Sequence, residues 1–243
     1  MTTERAGSHP RPCPSASCSR TCPCRRHFHT AQTLGQMTQP SVNGSLLTRA
    51  GARLTDAVED ERDPLAVLQW TAEYDAGLVA RVDDELRRAE LAAVATASPT
   101  PYARDVIIAA CHVGRPVAIV SNNSEPAIRA YLDSQDLARY VGCVVGRPYA
   151  DPGQMKPSPD LILHAVALVD AESKRCVLVG DSVTDVEGGR LAGVWTIGYA
   201  NKTGKAEALT RARADAIMIG SDGMEELALA LATEIHPLCV DKG

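Results

Sequence analysis

From about residue 100 onward, short apolar runs alternate with amphipathic stretches. The runs PVAIV (116–120), CVV (143–145), CVLV (176–179), VWTI (194–197) and AIMI (216–219) have the length and β-branched content of buried strands. Between them the apolar positions recur at helical spacing over about 102–113, 124–132, 158–169, 184–191, 205–213 and 224–231. Strands that are apolar throughout and separated by helices imply a parallel sheet covered on both faces. With right-handed crossovers this is an α/β, doubly wound parallel sheet.

Upstream the pattern changes. Residues 52–95 read as two helices. Asp63 is a suitable N-cap and Pro64 suits the first turn, ahead of Leu65, Val67, Leu68 and Trp70. The second helix, over about 78–94, sets Arg81, Asp83, Asp84, Glu85, Arg87 and Arg88 against an apolar face of Leu78, Val82, Leu86, Leu91 and Val94. Residues 1–50 show neither period and read as loop or disorder. The expected organisation is an irregular segment over 1–50, a helical unit over 51–97 and an α/β core over 98–243.

Charge narrows the range of partners. Residues 1–55 contain seven arginines and a single acid, Glu4, leaving 18 Lys+Arg against 29 Asp+Glu in the rest, a net of about -11. An acidic body argues against nucleic acid, whose phosphates need a basic face. No apolar run has the length of a membrane span, and the N-terminus lacks the apolar stretch of a secretory signal, so a cytoplasmic protein is expected. Cys111, Cys143, Cys176 and Cys239 are scattered among apolar neighbours and read as small buried hydrophobes. Nothing in the pattern fixes an oligomeric state.

Ligands of such sheets bind beyond the carboxyl ends of the strands, and three polar clusters fall there. In Gly180-Asp-Ser-Val-Thr-Asp185 two carboxylates stand four residues apart, at a strand tip and in the next helix's first turn. Hard oxygen ligands of this kind suit Mg²⁺, and a plain helix cap by Ser182 or Asp185 fits the spacing equally well. In Ser121-Asn-Asn-Ser124 a hydroxyl precedes a helix N-terminus, which favours an anion. Ser124 is also a plain N-cap candidate. Lys156, held between Met155 and Pro157, offers a point charge for a phosphate, or is a solvated lysine.

Order and spacing give these clusters more weight together. VAIVSNNS (117–124), MKPSPDLILHA (155–165) and VLVGDSVTDVEGGRLAGVWTIGYAN (177–201) resemble the second, third and fourth motifs of the haloacid dehalogenase (HAD) superfamily. The likeness is to members with a small helical cap, of the phosphoglycolate-phosphatase-like kind. The resemblance implies a Mg²⁺-dependent hydrolase, most simply a phosphatase acting on a small phosphorylated metabolite. By that resemblance Ser121 and Asn122 bind the phosphoryl group, Lys156 neutralises charge on it, and Asp181 and Asp185 serve the metal. Positioning and charge neutralisation supply most of the catalysis in phosphoryl transfer.

One part of the family pattern is absent. The family's first strand ends in Asp-x-Asp, the nucleophile and the general acid–base, whereas this chain has no aspartate before Asp56. No run of four strand-forming residues occurs in 1–45 either, so the first central strand is expected to be missing. Three readings stand open. The head is a misassigned start or shifted frame. Or the chain is a degenerate member that binds phosphate without turnover. Or the head is an accessory element, with Cys13, Cys18, Cys22, Cys24, His27 and His29 as zinc ligands.

Overall fold

A computed structural model describes Glu61, residues 63–233 and the backbone of His27–His29. The elements follow the sequence pattern closely. In chain order they are β1 (His27–His29), α1 (Pro64–Tyr74), α2 (Val79–Val94), α3 (Ala103–His112), β2 (Ala118–Ser124) and α4 (Glu125–Ser134). β3 (Cys143–Arg147), α5 (Asp160–Leu168), β4 (Cys176–Gly180) and α6 (Val183–Ala192) follow. The chain then continues through β5 (Trp195–Ala200), α7 (Lys205–Arg211), β6 (Ala216–Ile219) and α8 (Gly220–Thr233).

Every strand pair is parallel. One hydrogen-bonded set runs β1-β4-β5-β6 and a second joins β2 to β3, with β1 lying beside β2. The doubly wound parallel α/β fold is therefore present, in the order β3-β2-β1-β4-β5-β6. The expectation of a missing first strand is corrected. His27, Phe28 and His29 align with Cys176, Val177 and Leu178 of β4, in the middle of the sheet. A segment of three residues is too short to register as a strand in the hydrophobic pattern. Its neighbours β2 and β4 nevertheless have edges to be covered there. The proposed zinc ligands, apart from the backbone of His27 and His29, lie outside the described residues, as does Cys239.

Alternation along the strands sends side chains to two cores. Ile119 of β2 and Val179 of β4 join Val106, Ile107, Ile128, Leu132, Met224 and Leu231 on the face covered by α3, α4 and α8. Ala118, Val120, Leu178 and Cys176 face Leu161, Ile162, Val166 and Ala192 of α5 and α6. Burial pushes the Cys176 thiol up to about 11, as befits a small core hydrophobe with no reactive role. Asp63 caps α1 by accepting from the Leu65 N–H at 2.9 Å, and Val67 and Leu68 of α1 pack on Val79, Val82 and Leu86 of α2.

Asp83 departs from the sequence reading. The pattern sets it on the charged face of α2, yet it is fully buried, as is Glu90. Both face Arg147, the last residue of β3, which is itself buried. Arg147 Nη2 donates to Asp83 Oδ1 at 2.6 Å, and Nη1 donates to Glu90 Oε1 at 2.7 Å and to the Asn122 carbonyl at 2.6 Å. Burial alone would lower the guanidinium pKa, but the charges and hydrogen bonds of Glu90 and Asp83 outweigh it and raise the pKa above its usual value. This network fastens α2 to the carboxyl end of the sheet.

Candidate functional site

The three polar clusters converge where β2 and β4 end. β2 runs on past Val120 to Ser124, with its pairing to β3 interrupted between those two residues. Such an irregularity re-aims side chains next to functional sites. Ser121 Oγ accepts from the Asn123 N–H at 3.1 Å, which leaves the hydroxyl proton available to donate. The α4 N-terminus is less open than the sequence suggested. The Ser124 N–H donates to Glu90 Oε2 at 2.9 Å, so a carboxylate of the chain itself already sits there. Ser124 makes no side-chain cap, and its buried Oγ has no partner among the described residues.

The Asn122 side chain holds the backbone of Lys156. Its Oδ1 accepts from the Lys156 N–H at 2.8 Å and its Nδ2 donates to the Lys156 carbonyl at 3.1 Å. Both ends of the amide are engaged, so Asn122 clamps the backbone that carries Lys156. The Lys156 side chain then reaches between the strand ends. Nζ donates to the Val120 carbonyl at 3.2 Å and pairs with Asp185 Oδ1 at 2.5 Å. Lys156 is 7% exposed, Asp185 4% and Asp181 6%, so these are fixed and nearly desolvated charges.

Both oxygens of Asp185 have hydrogen-bond partners. Oδ2 accepts from the Ser182 N–H at 3.1 Å and the Ser182 hydroxyl at 2.6 Å, while Ser182 Oγ accepts from the Asp185 N–H at 3.1 Å. This is the reciprocal capping box that the sequence allowed as the plainer reading. Gly180 makes the arrangement possible. A Cβ there would lie 2.4 Å from Asp185 Cβ and 2.6 Å from its Cγ. Gly180→Ala is accordingly expected to lower stability by about 1–3 kcal/mol, the usual cost of overpacking, and to break the Lys156–Asp185 contact. Thermal unfolding of the variant beside the wild type measures this.

Asp181 faces the other way, toward the loop after β5. Its Oδ2 accepts from Lys205 Nζ at 2.5 Å and from Asn201 Nδ2 at 3.2 Å. Burial, followed by the charge of Asp181, raises the Tyr199 phenol pKa above its ordinary value. Asn201, Asp83, Glu90 and Arg147 were not singled out as functional in the sequence. A signal existed for two of them: Asp83 and Glu90 share the spacing of Val79, Val82 and Leu86, so they lie on the stripe of α2 that must be buried.

A family model described as haloacid dehalogenase-like hydrolase matches residues 35–193. The chain belongs to this family. Among curated HAD relatives it is similar to phosphoglycolate phosphatase of Escherichia coli, 27% identical over 117 residues, covering 48% of this chain and 46% of that protein. The phosphoglycolate phosphatase of Aquifex aeolicus is 34% identical over 83 residues, 34% of this chain and 38% of that protein. The matched region thus spans less than half the length of these relatives. Solved HAD-like structures share the fold. A predicted phosphatase from Clostridium acetobutylicum superposes with a TM-score of 0.66 at 18% identity, covering 85% of this chain and 98% of that one. A HAD family hydrolase from Deinococcus radiodurans, solved with bound phosphate and sodium, gives 0.57 at 23% identity, covering 86% and 96%.

The HAD resemblance implies magnesium, and the donor chemistry tests the fit. Magnesium is held by one or two carboxylates together with waters and substrate phosphate oxygens. Asp185 has both oxygens committed, and Asp181 Oδ2 already faces an ammonium group. Among the described residues no group of three or more His, Cys, Asp or Glu comes together to hold a metal. As they stand, Asp181 and Asp185 do not by themselves form a magnesium site among the described residues. The pair expected to share one metal is instead divided between two lysines.

Proposed function

We propose that this HAD-like chain recognises the phosphoryl group of a small phosphorylated metabolite through Ser121 and Lys156. We further propose that it turns such esters over poorly, for want of an aspartate nucleophile. The carrying observation is the placement of Lys156, whose ammonium is fixed by Asp185 and the Val120 carbonyl at the strand ends. Two of the three ammonium protons are so used, and one remains to meet a phosphate oxygen. The Ser121 hydroxyl supplies a second donor from β2. Asn122 is a positioning residue, holding the Lys156 backbone. We read α1 and α2 as the small cap that selects the rest of the substrate.

The catalytic limit follows from the sequence. β1 ends at His29, and Thr30, Ala31 and Gln32 bring no carboxylate. The donor set argues against the magnesium dependence that the resemblance implies. The best-supported activity is therefore phosphate-ester recognition on a hydrolase fold.

Titration of the chain with inorganic phosphate, followed by calorimetry, tests the reading. Saturable one-to-one binding is expected. Ser121→Ala should weaken it by about tenfold, the value of a hydrogen bond to a charged group. Lys156→Met should weaken it further, at the added cost of leaving Asp185 unpaired. Absence of binding by a folded sample, or binding indifferent to Ser121→Ala, would refute the assignment.

A further inference from the structure

The mismatch with magnesium points to something more specific than a lost metal. Asp181 is a nearly buried carboxylate, and such a charge needs a positive partner. The chain supplies one in Lys205, 2.5 Å from Oδ2, with the Asn201 amide donating to the same oxygen at 3.2 Å. Backbone geometry sets this up. β5 ends at Ala200, and the chain turns through Gly204 at φ 82°, a left-handed conformation suited to glycine. Lys205 is then the first residue of α7. Leu209 seats that helix against Val186 and Ala200, which holds the base of the lysine over the strand end.

We propose that Lys205 is the built-in counter-cation of Asp181, so that this site takes a phosphate group without a divalent metal. The inference rests on the phosphate-site reading and deepens it. An ammonium at hydrogen-bond distance and a dication at coordination distance cannot share one carboxylate oxygen, because their charges repel. Magnesium must therefore displace Lys205 to take Asp181 Oδ2. With Lys205 in place, Asp181 and Asp185 are balanced by Lys205 and Lys156. Lys205 Nζ keeps protons beyond the one given to Asp181, so it can also meet an oxygen of the incoming phosphate. Its side chain is 28% exposed, which places it at the mouth of the site.

The test uses the full chain as wild type, Lys205→Met and Lys205→Arg. Inorganic phosphate is titrated in chelator and in Mg²⁺, and Mg²⁺ alone is titrated against thermal unfolding. The wild type should bind phosphate with an affinity that differs by less than about twofold between chelator and Mg²⁺. Lys205→Met should bind phosphate about tenfold more weakly in chelator, recover it with Mg²⁺, and bind Mg²⁺ itself about tenfold more tightly than wild type. Lys205→Arg, which keeps the charge, should behave as wild type. Phosphate binding by the wild type only when Mg²⁺ is present would overturn the proposal, as would a Lys205→Met variant indistinguishable from wild type. If no form binds phosphate in either condition, the phosphate-site reading fails instead. The Mg²⁺ titration then judges Lys205 alone: tighter metal binding by Lys205→Met sustains its role as counter-cation, and equal binding refutes it.

Discussion

Arg147→Met is expected to destabilise the protein by about 3–5 kcal/mol, because it leaves buried Glu90 without its cation and buried Asp83 with only Arg87, 3.4 Å away. The Arg147 side chain is fully enclosed, and so are Asp83 and Glu90. Methionine fills most of the volume but returns none of the charge. For a folded region of this size the loss corresponds to a fall in Tm on the order of 10 °C. The triple replacement Arg147→Met with Asp83→Leu and Glu90→Met should recover part of it, since exchanging a whole buried ion cluster for apolar groups is often neutral. Recovery stays incomplete, because Asp83 Oδ2 accepts from the Ala150 N–H at 2.7 Å and Glu90 from the Ser124 N–H at 2.9 Å. Those two amides would be left unpaired. A single variant as stable as wild type would mean that the network contributes nothing. The same change should also weaken phosphate binding, since Arg147 holds the Asn122 carbonyl and Asn122 clamps Lys156.

The second large effect concerns rate. Turnover of an aryl phosphate by this chain should fall below that of a HAD phosphatase with its aspartate pair by about a million-fold, the scale of removing a hydrolase nucleophile. Fixed electrostatics from Lys156 and Ser121 can retain only a small part of the acceleration, roughly a thousandfold over water. Asp181 and Asp185 cannot take the nucleophile's place. One is held by Lys205 and Asn201, the other by Lys156 and Ser182. Initial rates at saturating substrate, compared with such a phosphatase, check this directly.

Much of the fold was legible because its strands are apolar throughout and its helices are bounded by clear signals, such as Asp63-Pro64 before α1 and Ser182 with Asp185 before α6. β1 was not legible, since strand assignment from pattern needs several alternating or apolar residues and His27–His29 offers three. Its place is set by the open edges of β2 and β4, which is tertiary information. Within the candidate site, Ser121, Lys156, Asp181 and Asp185 stand out in the sequence because polar clusters at strand ends are conspicuous. Which of them pair with which is not legible, because ion pairing joins residues far apart in the chain: Lys156 with Asp185, Lys205 with Asp181, and beside the site Arg147 with Asp83. Asn122 shows the same limit. Its neighbourhood was right, but which way its amide points depends on the Lys156 backbone.

One experiment reads both recognition and the lack of turnover. The purified chain is equilibrated with an aryl phosphate, and binding is followed together with phenol release, beside an Asp181→Asn variant. Saturable binding by the wild type is expected, with phenol release no faster than in the variant. Release that is faster than in Asp181→Asn and rises with added Mg²⁺ would contradict it, and would mean that a nucleophile operates in this chain beyond those that its strand ends provide.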